Sequence, residues 1–482
     1  MAIEYTTEQL DEMWSTGQTS RTAIQKREKY YGGDHDITDR VAGTDVYADG
    51  EDKSAIVSNF IKPCVNMYVG ALTTVPFQIT LDDQELGGDG PAKYKEISDD
   101  QKLKSKDVVN LRNAITYGFS VETHEFHGGK PVIKIHDSDE WGLIPNEVGD
   151  IVLVFRRVTL AKNSVHKEQI LDQAKDLMYV YTDTEVAVYE KENGTTTWQE
   201  PTRYGHKYGR LPVVIWKVEE DRSSMITDDQ ITMQDEYNDI DTISGDDIRN
   251  NTNAKLKVKG YDMEDVDDNA ETIKQKNIIP LGDDGDADYI MKGNDVERIE
   301  SRLKRSKQAI YTAMQCPDIE SIVGVTGGTS GIALLLKFLP MMQRASSMIN
   351  YIKDGLKDRI DLLNRVLEPL GERIDNTTET IQFVIPSNRT EEWQAIKNLD
   401  GVVTKLKQLE LLSDIDDPQE ELAALEKELA ANPPEPTDQN SQEAEAVAVE
   451  ARSNEEMVEE IIVALGDTTN TKIQEGKAAV GL

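Results

Sequence analysis

Apolar positions recur at steps of three and four along two stretches that bracket a glycine-rich run. From Asp295 the sequence DVERIESRLKRSKQAIYTAM puts Val296, Ile299, Leu303, Ile310 and Met314 close to one face at helical spacing. The pattern stops at Cys316-Pro317, because proline has no amide to donate and clashes with the preceding turn. SIVGVTGGTSGIA follows over Ser321–Ala333, with four glycines in thirteen residues, and reads as a loop that can adopt backbone angles other residues avoid. A longer stripe then runs through Phe338, Met341, Met342, Ala345, Met348, Ile349, Ile352, Leu356, Ile360, Leu363 and Leu367. From Pro340 to Leu367 that helix would span about 42 Å at about 1.5 Å per residue, with Pro340 either beginning it or kinking it. Helix, loop and long helix form a mechanical part rather than a reaction centre.

The rest of the chain alternates between the two periods. Residues 6–30 read as an amphipathic helix opening on Thr6 and Thr7, and Tyr30-Tyr31-Gly32-Gly33 as its closing turn. Ser54–Pro76 reads as one helix with Ile56, Phe60, Cys64, Met67 and Ala71 inward. FQIT predicts a strand, and Ser105–Ser120 a helix closed by Tyr117-Gly118. To about Val218, PVIKIH, DIVLVFRRVTL, DLMYVYTDTEVAVYE and LPVVIWKV predict an antiparallel sheet, with Asn193-Gly194 as a hairpin turn into TTTWQ. Residues 223–250 predict a helix whose apolar positions are Met225, Ile226, Ile231, Met233, Tyr237, Ile240, Ile243 and Ile248. AKLKVKGY and KNIIPL predict strands within a compact insertion, and TIQFVIPSN a strand after the long helix has ended at Pro369-Leu370-Gly371. Helices are predicted at Glu391–Leu412 and Pro418–Ala431; a proline-rich linker then leads into residues 437–482, whose composition predicts disorder. The fold class is α+β.

Charge changes the picture. Ninety acidic residues against 53 basic ones give a net charge of −37, which argues against stable non-specific binding of nucleic acid. The same charge suits a wall that a duplex must slide past, because like charge keeps it from sticking. The insertion is the most acidic part: twelve acids and three lysines lie between Gly260 and Glu297, Asp283, Asp284, Asp286 and Asp288 among them. Against this background Arg298, Arg302 and Arg305 form a local basic stripe at i, i+4 and i+7, flanked by Lys304 and Lys307. Salt bridges to neighbouring acids explain such a stripe as well as a channel lining does.

Candidate chemistry is sparse. The glycine run has no lysine where a phosphate loop requires one, and no strand before it. His124 and His127 sit in strand-like sequence, where i and i+3 face opposite sides, so no metal site is expected. Cys64 and Cys316 lie 252 positions apart with no metal-ligand spacing, and no disulfide framework is expected. No Ser-His-Asp or Cys-His pairing can be proposed from spacing. Catalytic residues, cofactors and metals are all expected to be none, and the chain is not expected to be an enzyme. The N-terminus has no basic leader before an apolar core, and no run of about 18 apolar residues occurs, so neither a signal peptide nor a membrane span is expected.

Several motifs, in order, resemble the tailed-bacteriophage (siphophage-type) portal family. YYGGDHDI over Tyr30–Ile37 resembles its Tyr-x-Gly-x-His-x-Ile element. Asn59, Phe60, Lys62, Gly70 and Pro76 resemble its Asn-Phe-(Ile/Val)-Lys helix, although Glu51-Asp52-Lys53 departs from the usual Asn-Asn-Lys lead-in. Tyr237-Asn238 with Ser244 resembles the first stem helix, and Ser330-Gly331-Ile332-Ala333 the tunnel loop. The resemblance implies a wing over 1–222, a first stem helix over 223–253, a clip over 254–294 and a second stem helix over 295–316. It further implies a tunnel loop over 317–334, the long helix and remaining wing over 335–395, a crown over 396–433 and an acidic tail over 434–482. By the same resemblance Val325, Thr326, Gly327, Gly328, Thr329, Ser330 and Gly331 face DNA, Arg298, Arg302 and Arg305 line or brace the channel, and the clip aspartates bind partners. The implied assembly is a homododecameric ring at a capsid vertex of a virion, made in the host cytoplasm. Its implied partners are double-stranded DNA, the terminase large subunit, a head–tail adaptor, and the major capsid and scaffolding proteins, with no membrane. The alternative is an acidic cytoplasmic scaffold or adaptor without a channel.

Overall fold

The computed structural model describes residues 4–43, 55–83, 86–167, 169–192, 194–252, 255–259, 286–290, 296–318, 320, 331–384, 404–410, 421–425 and 427. The chain divides into two compact units, Met1–Ser387 and Asn388–Leu482. The described part of the second unit includes a short helix, Lys405–Glu410, opened by Thr404, whose hydroxyl accepts from the Lys407 amide. Within the first unit mixed helices and antiparallel sheets make an α+β fold.

Helix α1 (Thr7–Gly32) begins where the sequence predicts, because Thr6 and Gln9 cap each other reciprocally. It ends at Gly33, whose φ of 98° no β-carbon would favour. A short α2 (Asp36–Gly43) follows. The predicted helix at Ser54 starts later: α3 covers Ile61–Thr73, and the preceding residues from 55 are not helical. Its inward face, Ile61, Cys64, Val65, Tyr68, Val69 and Leu72, follows the helical period. The helix predicted at Ser105–Ser120 is α5 (Leu103–Tyr117); ahead of it, where no helix was expected, stands α4 (Gly90–Gln101), and Lys102 in a left-handed conformation separates the two. Gly118 closes α5 with φ 99°, and a β-carbon there would lie 2.1 Å from the Arg222 carbonyl oxygen.

The strands form more than the one sheet predicted. β1 (Gln78–Leu81) pairs with a strand near the end of the unit, Thr377–Thr380. That strand lies upstream of the predicted one at Thr380–Asn388, of which residues 385–388 fall outside the described residues. β2 (Phe119–His127), β3 (Lys130–His136) and β11 (Val213–Lys217) make a three-stranded sheet in the order β11-β2-β3. β4 (Trp141–Pro145), β5 (Ile151–Leu160), β8 (Lys175–Tyr181), β9 (Glu185–Glu192) and β10 (Thr202–Gly205) make a five-stranded one, with β6 (Val165–His166) and β7 (Gln169–Ile170) as a small side hairpin. Asn193 of the predicted hairpin turn lies outside the described residues; the Thr195 amide donates to the Glu192 carbonyl, but TTTWQ is no strand and β9 pairs with β10 instead.

Alternation explains the layering. Residues of β2 are buried on both faces, so this sheet is covered twice. Val121 packs with Trp141, Val154 and Tyr181 toward the five-stranded sheet. Glu122 turns the other way, toward α5 and the long helix. The far face of the five-stranded sheet, with Phe155, Met178, Val180 and Tyr189, is covered by Leu10, Met13 and Trp14 of α1. The described residues of the unit also include the helices α6 (Asp228–Thr252), α7 (Val296–Ala313) and α8 (Gly331–Leu367). No helix among the described residues is long and apolar enough to cross a membrane.

Candidate functional site

The candidate site is a helical frame, α6 and α7 followed by α8, together with the joint that fixes it to the rest of the unit. Helices α6 and α7 run antiparallel: the Gln230 amide reaches the Ala313 carbonyl (3.4 Å) near one end, and Arg302 pairs with Glu236 further along. Ile310, Tyr311 and Met314 are buried, as the apolar period of α7 requires.

Helix α6 departs from its predicted pattern. Ile231 is buried, but Ile243 is 61% exposed, and the buried line Gln230, Gln234, Asn238 and Thr242 is polar at every fourth position. The non-helical segment before α3 is fastened to this line. The amides of Ile56, Ser58 and Phe60 donate to Thr242 Oγ1 (3.0 Å), Asn238 Oδ1 (3.1 Å) and Gln234 Oε1 (3.0 Å). Gln234 Nε2 returns a bond to the Ser58 carbonyl (2.5 Å). The helix thus supplies the partners that a neighbouring strand would otherwise give, and buried main-chain groups stay paired.

The sequence motifs converge on this joint. Asn238 Nδ2 donates to His35 Nδ1 (2.8 Å), while His35 Nε2 faces the Tyr30 carbonyl (3.1 Å), so the imidazole is neutral with its proton on Nε2. Burial pushes the His35 pKa down. Tyr30 stacks on His35 and donates through its hydroxyl to Asp235. Asn59 donates to the Tyr30 and Tyr31 carbonyls and accepts from the Lys62 amide, which opens α3. Phe60 sits edge-on against Tyr237 and near Tyr311. The tyrosine–glycine–histidine, asparagine–phenylalanine and tyrosine–asparagine phrases are therefore one physical joint between α1, α3 and α6.

At the end of α7 the chain is turned by a left-handed residue that is not glycine. Gln315 has φ 53°, its amide donates to the Thr312 carbonyl, and the Cys316 amide donates to the Tyr311 carbonyl. This is the Schellman closure of a helix. The Tyr68 hydroxyl of α3 lies 3.3 Å from the carbonyls of both Met314 and Gln315. Lys307 then holds the outgoing chain through Asp318 (3.6 Å) and Glu320 (2.6 Å), while its ammonium lies over the Phe60 and Tyr311 rings.

The basic stripe lies on α7, with Arg298, Arg302 and Arg305 all exposed and Arg302 joined to Glu236 of α6. Val325, Thr326, Gly327, Gly328, Thr329 and Ser330 fall outside the described residues. Gly331 is the first residue of α8, so the long helix begins ahead of the boundary expected at 335 and carries Pro340 inside it. Of the insertion, Lys255–Lys259 and Asp286–Ile290 are paired antiparallel, which puts Asp286 opposite Lys259 and Asp288 opposite Lys257 in register. Asp283, Asp284 and the predicted strand KNIIPL lie outside the described residues.

Helix α8 buries the stripe the sequence predicts, from Phe338 through Met341, Ala345, Met348, Ile352, Leu356, Ile360 and Leu363 to Leu367. Gly355 lets it approach β11, where a β-carbon would meet the Trp216 ring at 2.9 Å. The sequence gives no sign of what interrupts this stripe. Arg359 is wholly buried and donates to Glu122 through Nε (2.9 Å) and Nη2 (2.7 Å), to Asp107 (2.6 Å) and to the Tyr94 hydroxyl (3.1 Å). His124, Asn110 and Trp216 also bond Glu122. Burial alone would raise the Glu122 pKa, but Arg359 and His124 more than offset it and hold the carboxyl well below its usual range. At Asp107, with fewer donors, burial wins and the pKa rises. Among the described residues no group of three or more His, Cys, Asp or Glu side chains is arranged to hold a metal ion.

A family model described as "Phage portal protein, SPP1 Gp6-like" matches residues 10–435, which include α6, α7, α8 and the joint. The chain belongs to the phage portal protein family. Portal proteins are structural components of the virion rather than enzymes. No curated protein matches the chain. Among solved structures it is similar to one titled "Neck of native GTA particle computed with C12 symmetry", with 11% identity and a TM-score of 0.40 over 73% of this chain and 88% of that one.

Proposed function

We propose that this portal protein assembles into a homo-oligomeric ring, a dodecamer, at one capsid vertex, and that double-stranded DNA passes through its axis during packaging, retention and ejection. The family match over residues 10–435 carries this reading, because it takes in both candidate stem helices, the glycine-rich segment and the long helix. In this assembly α6 and α7 form the channel wall, and the segment from Ser321 to Ala333 faces the DNA. The acidic insertion that carries Asp283, Asp284, Asp286 and Asp288 is the clip, which docks the terminase large subunit and later the head–tail adaptor; capsid and scaffolding proteins contact the outer body. The net charge of −37 per subunit supports passage without adhesion, since a wall of like charge repels the duplex. The arginines of α7 act as local braces or brakes in that field.

Negative-stain imaging with native mass measurement tests the assembly: a ring of about twelve subunits with an axial hole is expected, and a globular two-fold dimer would overturn it. The triple variant Arg298→Ala/Arg302→Ala/Arg305→Ala is expected to form the same ring but to lose DNA faster from filled heads. Unchanged retention would remove the stripe from the mechanism.

A further inference from the structure

The chain contains two cysteines, 252 positions apart, and the fold brings them together. Cys64 lies on the inward face of α3 and is wholly buried, whereas Cys316, just past the end of α7, is 7% exposed. Both are free thiols. Cys316 Sγ donates to the Cys64 carbonyl oxygen at 3.6 Å. That contact sets the Cys316 sulfur against Cys64 itself, and the neighbouring thiol together with burial pushes the Cys64 pKa up. The local backbone is built around this approach. Gln315 takes a left-handed angle that a residue with a β-carbon adopts at a cost of about 1 kcal/mol, and that turn sends Cys316 back onto α3. The Tyr68 hydroxyl, one turn along α3 from Cys64, bonds the two carbonyls just before Cys316.

We propose that Cys64 and Cys316 form a buried dithiol site that closes into an intrachain disulfide when the protein meets a small disulfide oxidant, tying the end of α7 to α3. Cys316, the less buried thiol, reacts first. Its thiolate attacks one sulfur of an oxidant such as oxidised glutathione, releases one glutathione thiolate and forms a mixed disulfide. Cys64 gives its proton to the released glutathione thiolate as it attacks the Cys316 sulfur and expels the second glutathione. Two protein thiols are oxidised to one disulfide, one oxidant molecule is reduced to two thiols, and the two protons end on the released glutathiones. A virion meets such oxidants once outside a reducing cytoplasm. The bond would add a covalent tie where Tyr68 and the Schellman closure already hold α7, just before the chain enters the glycine-rich segment.

The test uses the full-length protein and its Cys64→Ser and Cys316→Ser variants. Each is incubated folded with oxidised glutathione, denatured in N-ethylmaleimide and weighed intact. The wild type is expected to lose two hydrogens and take up no maleimide, with a Cys64–Cys316 linked peptide in the digest. Each single variant should instead retain one thiol, found as a glutathione or maleimide adduct. Closing so long a loop is expected to raise Tm by about 3–5 °C, reversed by dithiothreitol. Two maleimide adducts on the treated wild type, or a disulfide joining two chains, would overturn the proposal. The digest decides even if a serine variant fails to fold, and neither reading depends on ring formation.

Discussion

Helices α6 and α8 are both long, both partly buried and both central to the frame, yet they are held by opposite means. α8 presents an apolar stripe to a mixed core and carries one buried charge, Arg359, whose carboxylate partners sit on α5 and β2. α6 presents a polar line whose rungs take up the main chain of the segment before α3. Apolar packing tolerates small shifts, because dispersion and burial are non-directional. A line of hydrogen bonds fixes register, because each rung fails beyond a few tenths of an ångström. The first kind of helix anchors; the second locates.

The largest effect is expected where α8 breaks its own rule. Arg359→Ala leaves Glu122 buried without its cation and should cost about 3–5 kcal/mol, read as a shift in the urea midpoint; a loss under about 1 kcal/mol would mean that water replaces the guanidinium. On α6, Asn238→Ala strips the Ser58 amide and His35 of their partner and should cost about 1–3 kcal/mol. Because the loss falls on one joint, proteolysis near residues 55–60 should accelerate more than global unfolding does, and equal acceleration of both would blur the contrast between the helices.

The pattern of what was readable follows the same division. The stripe of α8, the caps of α1 and the close of α5 at Gly118 were legible because burial of apolar side chains has a period, and caps have a local chemistry. Arg359, Glu122 and the rungs of α6 were not, since a buried polar residue looks like a solvated one until its partner is known. Gln234 and Phe60 are 174 positions apart. The motif phrases signalled this joint, and their order in the chain was visible, but nothing in them said that Tyr30, His35, Asn59 and Asn238 touch. Ile56 and Phe60 fitted a helical face by spacing alone, and main-chain bonding to α6 overrode it.

Two smaller tests sharpen the comparison. Burial holds the His35 pKa below that of the unfolded chain, so the unfolded state takes up the proton first as pH falls. Stability should therefore be full above the ordinary histidine range of about 6.5 and decline below it until His35 also protonates. In His35→Gln this part of the slope should vanish, and an unchanged slope would assign it to other groups. Finally, Gln315→Gly should stabilise by about 0.5–1 kcal/mol in thermal melts, since glycine accepts the left-handed angle without strain; destabilisation would mean that the Gln315 side chain contributes more than its backbone costs.

The rungs of α6 also set a limit on themselves. Four residues of helix advance about 6.0 Å, whereas two residues of extended chain advance about 6.6–6.8 Å. The two scales slide past each other like those of a vernier, by about 0.7 Å at every rung. Three rungs can be brought into line by small adjustments, but further ones would fall outside hydrogen-bonding range. The segment must therefore leave the helix after a few residues, and it does so at Ile61, where α3 begins. A mismatch of periods acts here as a length gauge, so a residue inserted between Ile56 and Phe60 would not merely lengthen the segment but put every rung on one side of it out of phase.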